Sequence, residues 1–171
     1  ALEINGDAAR IVVVKLSIDG IELVLADFRG AIVDRESSRI ETYNVEADAF
    51  GPQVAREIAA FLVKRKVKRA SVARIAVAVQ GVADSQSGTI VWSPAFRARH
   101  IPVCAPVTKA LGIDCAIAND ANLMAEALIG TNRQRFSGTS AIIFLGYGVG
   151  MGLIVNGGVY HGVTGAASEF G

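Results

Sequence analysis

No uninterrupted apolar stretch of this chain approaches the ~20 residues that a helix needs to span a bilayer, so no membrane association is expected. The start, Ala1-Leu2-Glu3-Ile4-Asn5-Gly6, has neither a basic segment nor an apolar one, so these residues are not expected to be a signal peptide. It also lacks a methionine, and the chain is expected to be a piece of a longer protein. Cysteine is nearly absent. Cys104 and Cys115 form no CxxC pair and no disulfide framework, which suits a reducing, cytoplasmic location. Charge of one sign is missing too: a formal net charge of +1 gives no global drive toward nucleic acid. Neither low-complexity segments nor internal repeats occur.

What is present points to a folded α/β chain. Half the residues are hydrophobic and under a fifth are charged, which argues against disorder. The 171 residues suffice for one well-buried domain or two small lobes sharing a cleft. β-branched runs predict strands over 11–16 and 21–28, with Arg29-Gly30 as the turn into a third strand that begins at 31–33 and is completed near 40–45. Val54, Ile58, Phe61 and Leu62 then recur as an amphipathic helix requires, with Pro52 expected at its first turn. The basic run Lys64-Arg65-Lys66-Val67-Lys68-Arg69 follows. Cations at a helix C-terminus are favoured by the dipole, and long basic side chains keep their heads in water; a DNA-contacting patch is the other reading.

Further along, 75–79 predicts a strand buried on both faces, 85–88 a turn and 89–92 a short strand. Pro102 and Pro106 bracket an irregular entry into a helix near 107–111. A strand over 115–118 leads to a helix over 121–129 expected to bury Leu123, Met124, Ala127 and Leu128. Strands over 141–145, 153–155 and 159–160 close the chain, the last two joined by Asn156-Gly157-Gly158, a strong hairpin signal.

Asp120 opens a helix, where an aspartate serves as an N-cap; alternatively, it is a carboxylate at the carboxyl end of a strand, facing a cleft. Gly146, Gly148, Gly150 and Gly152 alternate, so their backbone could approach a phosphate closely or could form a strand edge packed against a neighbour. Gly81 reads as a turn glycine after a strand, and Glu169 as a surface carboxylate. Arg97, Arg99 and His100 are solvent-facing loop residues or ligand contacts.

Three segments taken together, Asn119-Asp120-Ala121-Asn122, the glycine series ending at Gly152, and Gly165-Ala166-Ala167-Ser168-Glu169-Phe170-Gly171, resemble the ROK family of sugar kinases and sugar-responsive repressors. The resemblance runs from about Ile11 to Gly171. It implies an α/β, actin-like (ribonuclease-H-like, sugar-kinase) fold, with one lobe over 1–119 and the start of a second, truncated lobe over 120–171. It also implies sugar-binding roles for Gly81, Asn119, Asp120 and Glu169. In the family's kinases, the residue matching Asp120 takes the proton from the sugar hydroxyl that attacks ATP. The glycines at 146, 148, 150 and 152 match the phosphate loop.

Several positions depart from the family pattern. Ala118 stands where a Glu is usual, Ala95 replaces a sugar-contacting Asn, Tyr147 replaces a Thr and Ser168 a Gly. The first phosphate turn is the most altered: Lys15, Ser17 and Ile18 occupy its acidic and glycine positions. A lysine cannot hold Mg²⁺, and β-branched Ile18 disfavours the positive φ that glycine permits. Phosphoryl transfer depends on positioning and metal-assisted charge neutralisation, so kinase activity is not expected. No metal or cofactor is expected in this chain. The family's structural zinc would be held by residues after Gly171, so His161 is read as a surface histidine. The leading expectation is the effector-sensing domain of a transcriptional regulator, a homodimer that binds a sugar between its lobes and DNA through a helix-turn-helix elsewhere. The alternatives are an ATP-dependent sugar kinase with Asp120 as base, and a domain that binds no sugar and only dimerises.

Overall fold

The computed structural model describes residues 3–18, 20–145 and 149–162. Its largest element is a five-stranded sheet in the order β3-β2-β1-β4-β8. Strands β1 (Arg10–Ser17), β2 (Gly20–Asp27) and β3 (Ile32–Arg39) form an antiparallel meander. Helix α1 (Ala47–Lys64) then carries the chain over to β4 (Val72–Val79), which runs parallel to β1. Strand β8 (Cys115–Asn119) adds in parallel beyond β4. Between β4 and β8 lie a small sheet of β5 (Val82–Asp84), β6 (Thr89–Trp92) and β7 (Ile101–Pro102), and helix α2 (Cys104–Leu111).

The core follows from period-two patterning. Val12, Val14 and Leu16 of β1, Ile21, Leu23 and Leu25 of β2, and Ile75, Val77 and Val79 of β4 are all buried. They belong to one cluster with Val54, Ile58, Phe61 and Leu62 of α1 and Val107 and Leu111 of α2. The amphipathic helix expected from those α1 positions is therefore present, but it starts at Ala47, so Pro52 lies inside it rather than at its first turn. Pro52 brings no N–H for the Asp48 carbonyl. Beside it, a Cβ on Gly51 would lie 2.5 Å from the Pro102 carbonyl oxygen and 2.8 Å from the Pro106 ring, so glycine lets α1 sit directly on the start of α2.

The third strand also differs from expectation: β3 is continuous and ends at Arg39, while residues 40–45 form no strand. It is an exposed edge strand, so its polar sequence carries no burial signal. The C-terminus of α1 covers it with charge. Lys64 donates to Glu36 at 3.0 Å, and Arg65 donates to Asp34 at 2.9 Å and also to Glu36, with its guanidinium 4.2 Å from the Phe61 ring centre. Hydrogen bonds from Lys64 and Arg65 hold the Glu36 carboxyl below its usual range. Two cations of the basic run are thus engaged within the fold.

Helix α3 (Asp120–Thr131) follows β8 and packs on a second, antiparallel sheet of β9 (Ser140–Leu145), β10 (Val149–Val155) and β11 (Gly158–Val159). Asn156 and Gly157, both at positive φ, make the expected hairpin turn. The residues that α3 buries are Ala121, Asn122 and Ala125; Met124 and Ala127 are exposed, and Leu123 and Leu128 half-buried, contrary to the expected apolar stripe. The sheet meets the helix through small residues, so the large ones are turned away. The opposite face of β9 and β10, with Ile143, Leu145 and Val149, is exposed. No helix among the described residues is long and apolar enough to cross a membrane.

Cys104 and Cys115, separated in sequence, come together where α2 meets β8. A hydrogen bond from the Cys115 thiol favours the Cys104 thiolate, and the same bond with burial pushes the Cys115 thiol up.

Candidate functional site

The parallel strands β1, β4 and β8 end side by side, and the chain turns from β8 into α3 at Asn119 and Asp120. Asn119 is 6% exposed. Its Oδ1 accepts the Asn122 N–H at 3.0 Å, and its Nδ2 donates to the Gly81 carbonyl at 2.8 Å. The helix cap is therefore Asn119, not Asp120 as one sequence reading had it. Gly81 has a φ of +98°, and a Cβ there would lie 2.5 Å from the Trp92 carbonyl oxygen. Both facts require glycine at the turn after β4. One amide thus ties the β4–β5 turn to the start of α3.

Asp120, relieved of capping, occupies the first position of α3, where the helix dipole favours a negative charge. Its Oδ1 accepts the Ala121 N–H at 2.9 Å. The residue lines a cavity of about 540 Å³ together with Lys15, Ser17, Gln80, Ile143 and Gly150. Lys15 reaches it because β1 alternates: Val14 and Leu16 face the core, so Lys15 and Ser17 face away.

A second cavity, of about 670 Å³, lies between the β5–β6 hairpin and another stripe of α3. Asp84, His100, Asn122, Glu126 and His161 are on its wall, and Asn119 lines both cavities. The Asp84 carboxyl is held below the usual carboxylate range by the Ser87 hydroxyl, 2.7 Å away, and by the Gln86 N–H at 2.9 Å. His161 is exposed, as its reading as a surface histidine expects, and its Nε2 is 3.4 Å from Glu126 Oε1 on this wall. Buried Asn122 leaves its Oδ1 without a partner among the described residues.

Of the phosphate-loop glycines, Gly150 and Gly152 are on β10 and face α3. A Cβ on Gly152 would lie 2.5 Å from Ala125 Cβ and 3.0 Å from the Ala121 carbonyl oxygen. The packing role expected of a glycine-rich strand holds at this position, and Gly150 also lines the smaller cavity. Gly146, Gly148 and Glu169 lie outside the described residues. Ala95 is buried and adds nothing to either cavity, while Arg97 and Arg99 are exposed and line neither. No cluster of three or more His, Cys, Asp or Glu among the described residues is placed to hold a metal ion. The sequence reading missed Asp84, Glu126 and His161 as wall residues, because only the fold brings Asp84 of the β5–β6 hairpin and His161, after β11, to the face of α3 that carries Glu126.

The model of the ROK family matches residues 18–171. The xylose repressor of Caldicellulosiruptor bescii is 26% identical over 177 residues, covering 99% of this chain and 42% of its own length. Among solved structures, a ROK family transcriptional regulator, homologous to the E. coli MLC protein, matches with a TM-score of 0.86 at 21% identity, over 98% of this chain and 42% of that one. A ROK family glucokinase from Streptomyces griseus, solved with glucose and AMPPNP, matches with a TM-score of 0.73 at 22% identity, over 95% of this chain and 50% of its own. The fold is the α/β, actin-like sugar-kinase fold expected from the motif order, and the chain spans half or less of the length of these relatives.

Proposed function

This chain belongs to the ROK family, and on that premise we propose that it is the sugar-sensing domain of a transcriptional regulator. A sugar or sugar derivative binds at the carboxyl ends of β4 and β8, with Asp120 accepting hydrogen bonds from its hydroxyls. Asn119 holds Gly81 and the start of α3 in place around it, and Glu169, outside the described residues, supplies a further carboxylate. DNA is bound by a helix-turn-helix in another part of a homodimeric protein, and sugar binding shifts the balance between two arrangements of the lobes. Any structural zinc belongs to that longer protein too.

The observation that carries this reading over a kinase is Lys15 on the wall of the Asp120 cavity. An ammonium there repels the Mg²⁺ that phosphoryl transfer needs, while leaving a carboxylate available for hydroxyl groups. Similarity to a xylose repressor over nearly the whole chain supports the same choice.

Calorimetric titration of the intact protein against a sugar panel tests the proposal, alongside an ATP and Mg²⁺ turnover assay. Binding without turnover is expected, and Asp120→Ala should weaken binding by the ~1.5–3 kcal/mol typical of hydrogen bonds to a charged group. Turnover in the ordinary enzyme range of ~1–10³ s⁻¹ would make the chain a kinase with Asp120 as base. An Asp120→Ala variant that binds as well as wild type would remove Asp120 from the site.

A further inference from the structure

Among the described residues, the Lys15 side chain has no hydrogen-bond or ion-pair partner. It stands near the end of β1, the middle strand of the five-stranded sheet, with its side chain on the face away from the core. It is exposed and makes no ion pair among the described residues. Its register neighbours are Glu22 on β2 and Ala78 on β4. Glu22 does not pair with it, and neither Glu22 nor Ala78 lines the cavity. Asp120 lines the same cavity, yet it too forms no ion pair with Lys15. Gln80 and Ser17, whose hydroxyl donates to the Gly20 carbonyl at 3.4 Å, complete a polar wall on this side.

A carboxylate and an ammonium that share a cavity without meeting complement a ligand that is itself divided. Hydroxyl donors suit Asp120; the ammonium can donate to hydroxyl oxygens as well, but a neutral polyol leaves its charge uncompensated, whereas an anionic oxygen accepts from it and neutralises it. We propose that this cavity takes a sugar carrying an anionic group, phosphate or carboxylate, whose charge is read by Lys15 while its hydroxyls are held by Asp120. The inference rests on the reading of the cavity as a sugar site. Charge-assisted hydrogen bonds are shorter and about twice as strong as neutral ones, so the anion contributes discrimination as well as affinity.

The test is calorimetric titration of the intact protein with matched sets: xylose, glucose and N-acetylglucosamine, each beside its phosphate ester and its sugar acid, against wild type and Lys15→Gln. The anionic member of one set should bind about tenfold or more tightly than its neutral parent. That advantage should vanish in Lys15→Gln, and it should shrink with rising salt. The ester and acid arms tell phosphate from carboxylate. A neutral sugar that binds as tightly as its anionic forms, with no effect of Lys15→Gln, overturns this inference and leaves the sugar site standing. Failure of every sugar, neutral and anionic, overturns both. Lys15 is exposed, so Lys15→Gln should keep the wild-type circular dichroism spectrum and melting temperature.

Discussion

Where the five-stranded sheet lays the branched side chains of β1, β2 and β4 against α1 and α2, the three-stranded sheet receives α3 through glycine and alanine. The first contact is thick, built from Val14, Leu23, Ile58 and Val107, all buried. The second is thin: Gly150 and Gly152 present backbone to Ala121 and Ala125, and Ile154 is the large side chain fully buried there. The difference locates stability and placement in separate regions. Burial of branched side chains supplies most of the folding free energy, at roughly 25 cal/mol per Å². Close backbone approach supplies little area but fixes the helix that carries Asp120.

The sharpest way to break this contrast is a cavity in the thick contact. Ile58→Ala should lower the unfolding free energy of the intact protein by ~2–5 kcal/mol, read from urea titration. A loss under ~1 kcal/mol would mean that this core collapses around the gap and is no more demanding than the other. Overfilling the thin contact comes next. Gly152→Val places a Cβ 2.5 Å from Ala125 Cβ, so a loss of ~1–3 kcal/mol is expected, together with weaker ligand binding as α3 is displaced. Unchanged stability would show that the helix has room to move. Smallest of all, Leu145→Ser on the exposed face of β9 should change stability by no more than ~0.5 kcal/mol, since Leu145 is 82% exposed. A larger loss in the intact protein would show that this face is covered there by other polypeptide.

The thick region was legible in the sequence because its residues follow the two simple periods. Val12, Val14 and Leu16 alternate as a strand does, and Val54, Ile58, Phe61 and Leu62 repeat as a helix does. Strand β3 was misread over 40–45 because it is an exposed edge strand: Asp34 and Glu36 are held by cations of α1, a contact between residues 28 or more apart. Helix α3 was legible as a helix but not in its orientation, since hydrophobicity favours Met124 and Leu128, whereas the glycines of β10 select Ala121 and Ala125. At the candidate site, the Asn119-Asp120 pair stood out at once, but its division of labour did not. Which of two adjacent polar residues caps a helix depends on where the strand stops, and β8 runs through Asn119. Glu169, Gly146 and Gly148 fall outside the described residues, so their expected roles rest on the resemblance alone.

The contact between Gly152 and Ala125 also has a mechanical meaning. A helix seated this close to bare backbone has no room to approach further, so α3 and the sheet of β9–β11 form one closely packed unit. That unit is joined to the five-stranded sheet at the covalent link between Asn119 and Asp120 and by the hydrogen bond that the Asn122 N–H donates to Asn119 Oδ1. Any rotation of one sheet against the other would have to pass through this junction, where one buried amide both caps α3 through its Oδ1 and holds the Gly81 carbonyl through its Nδ2.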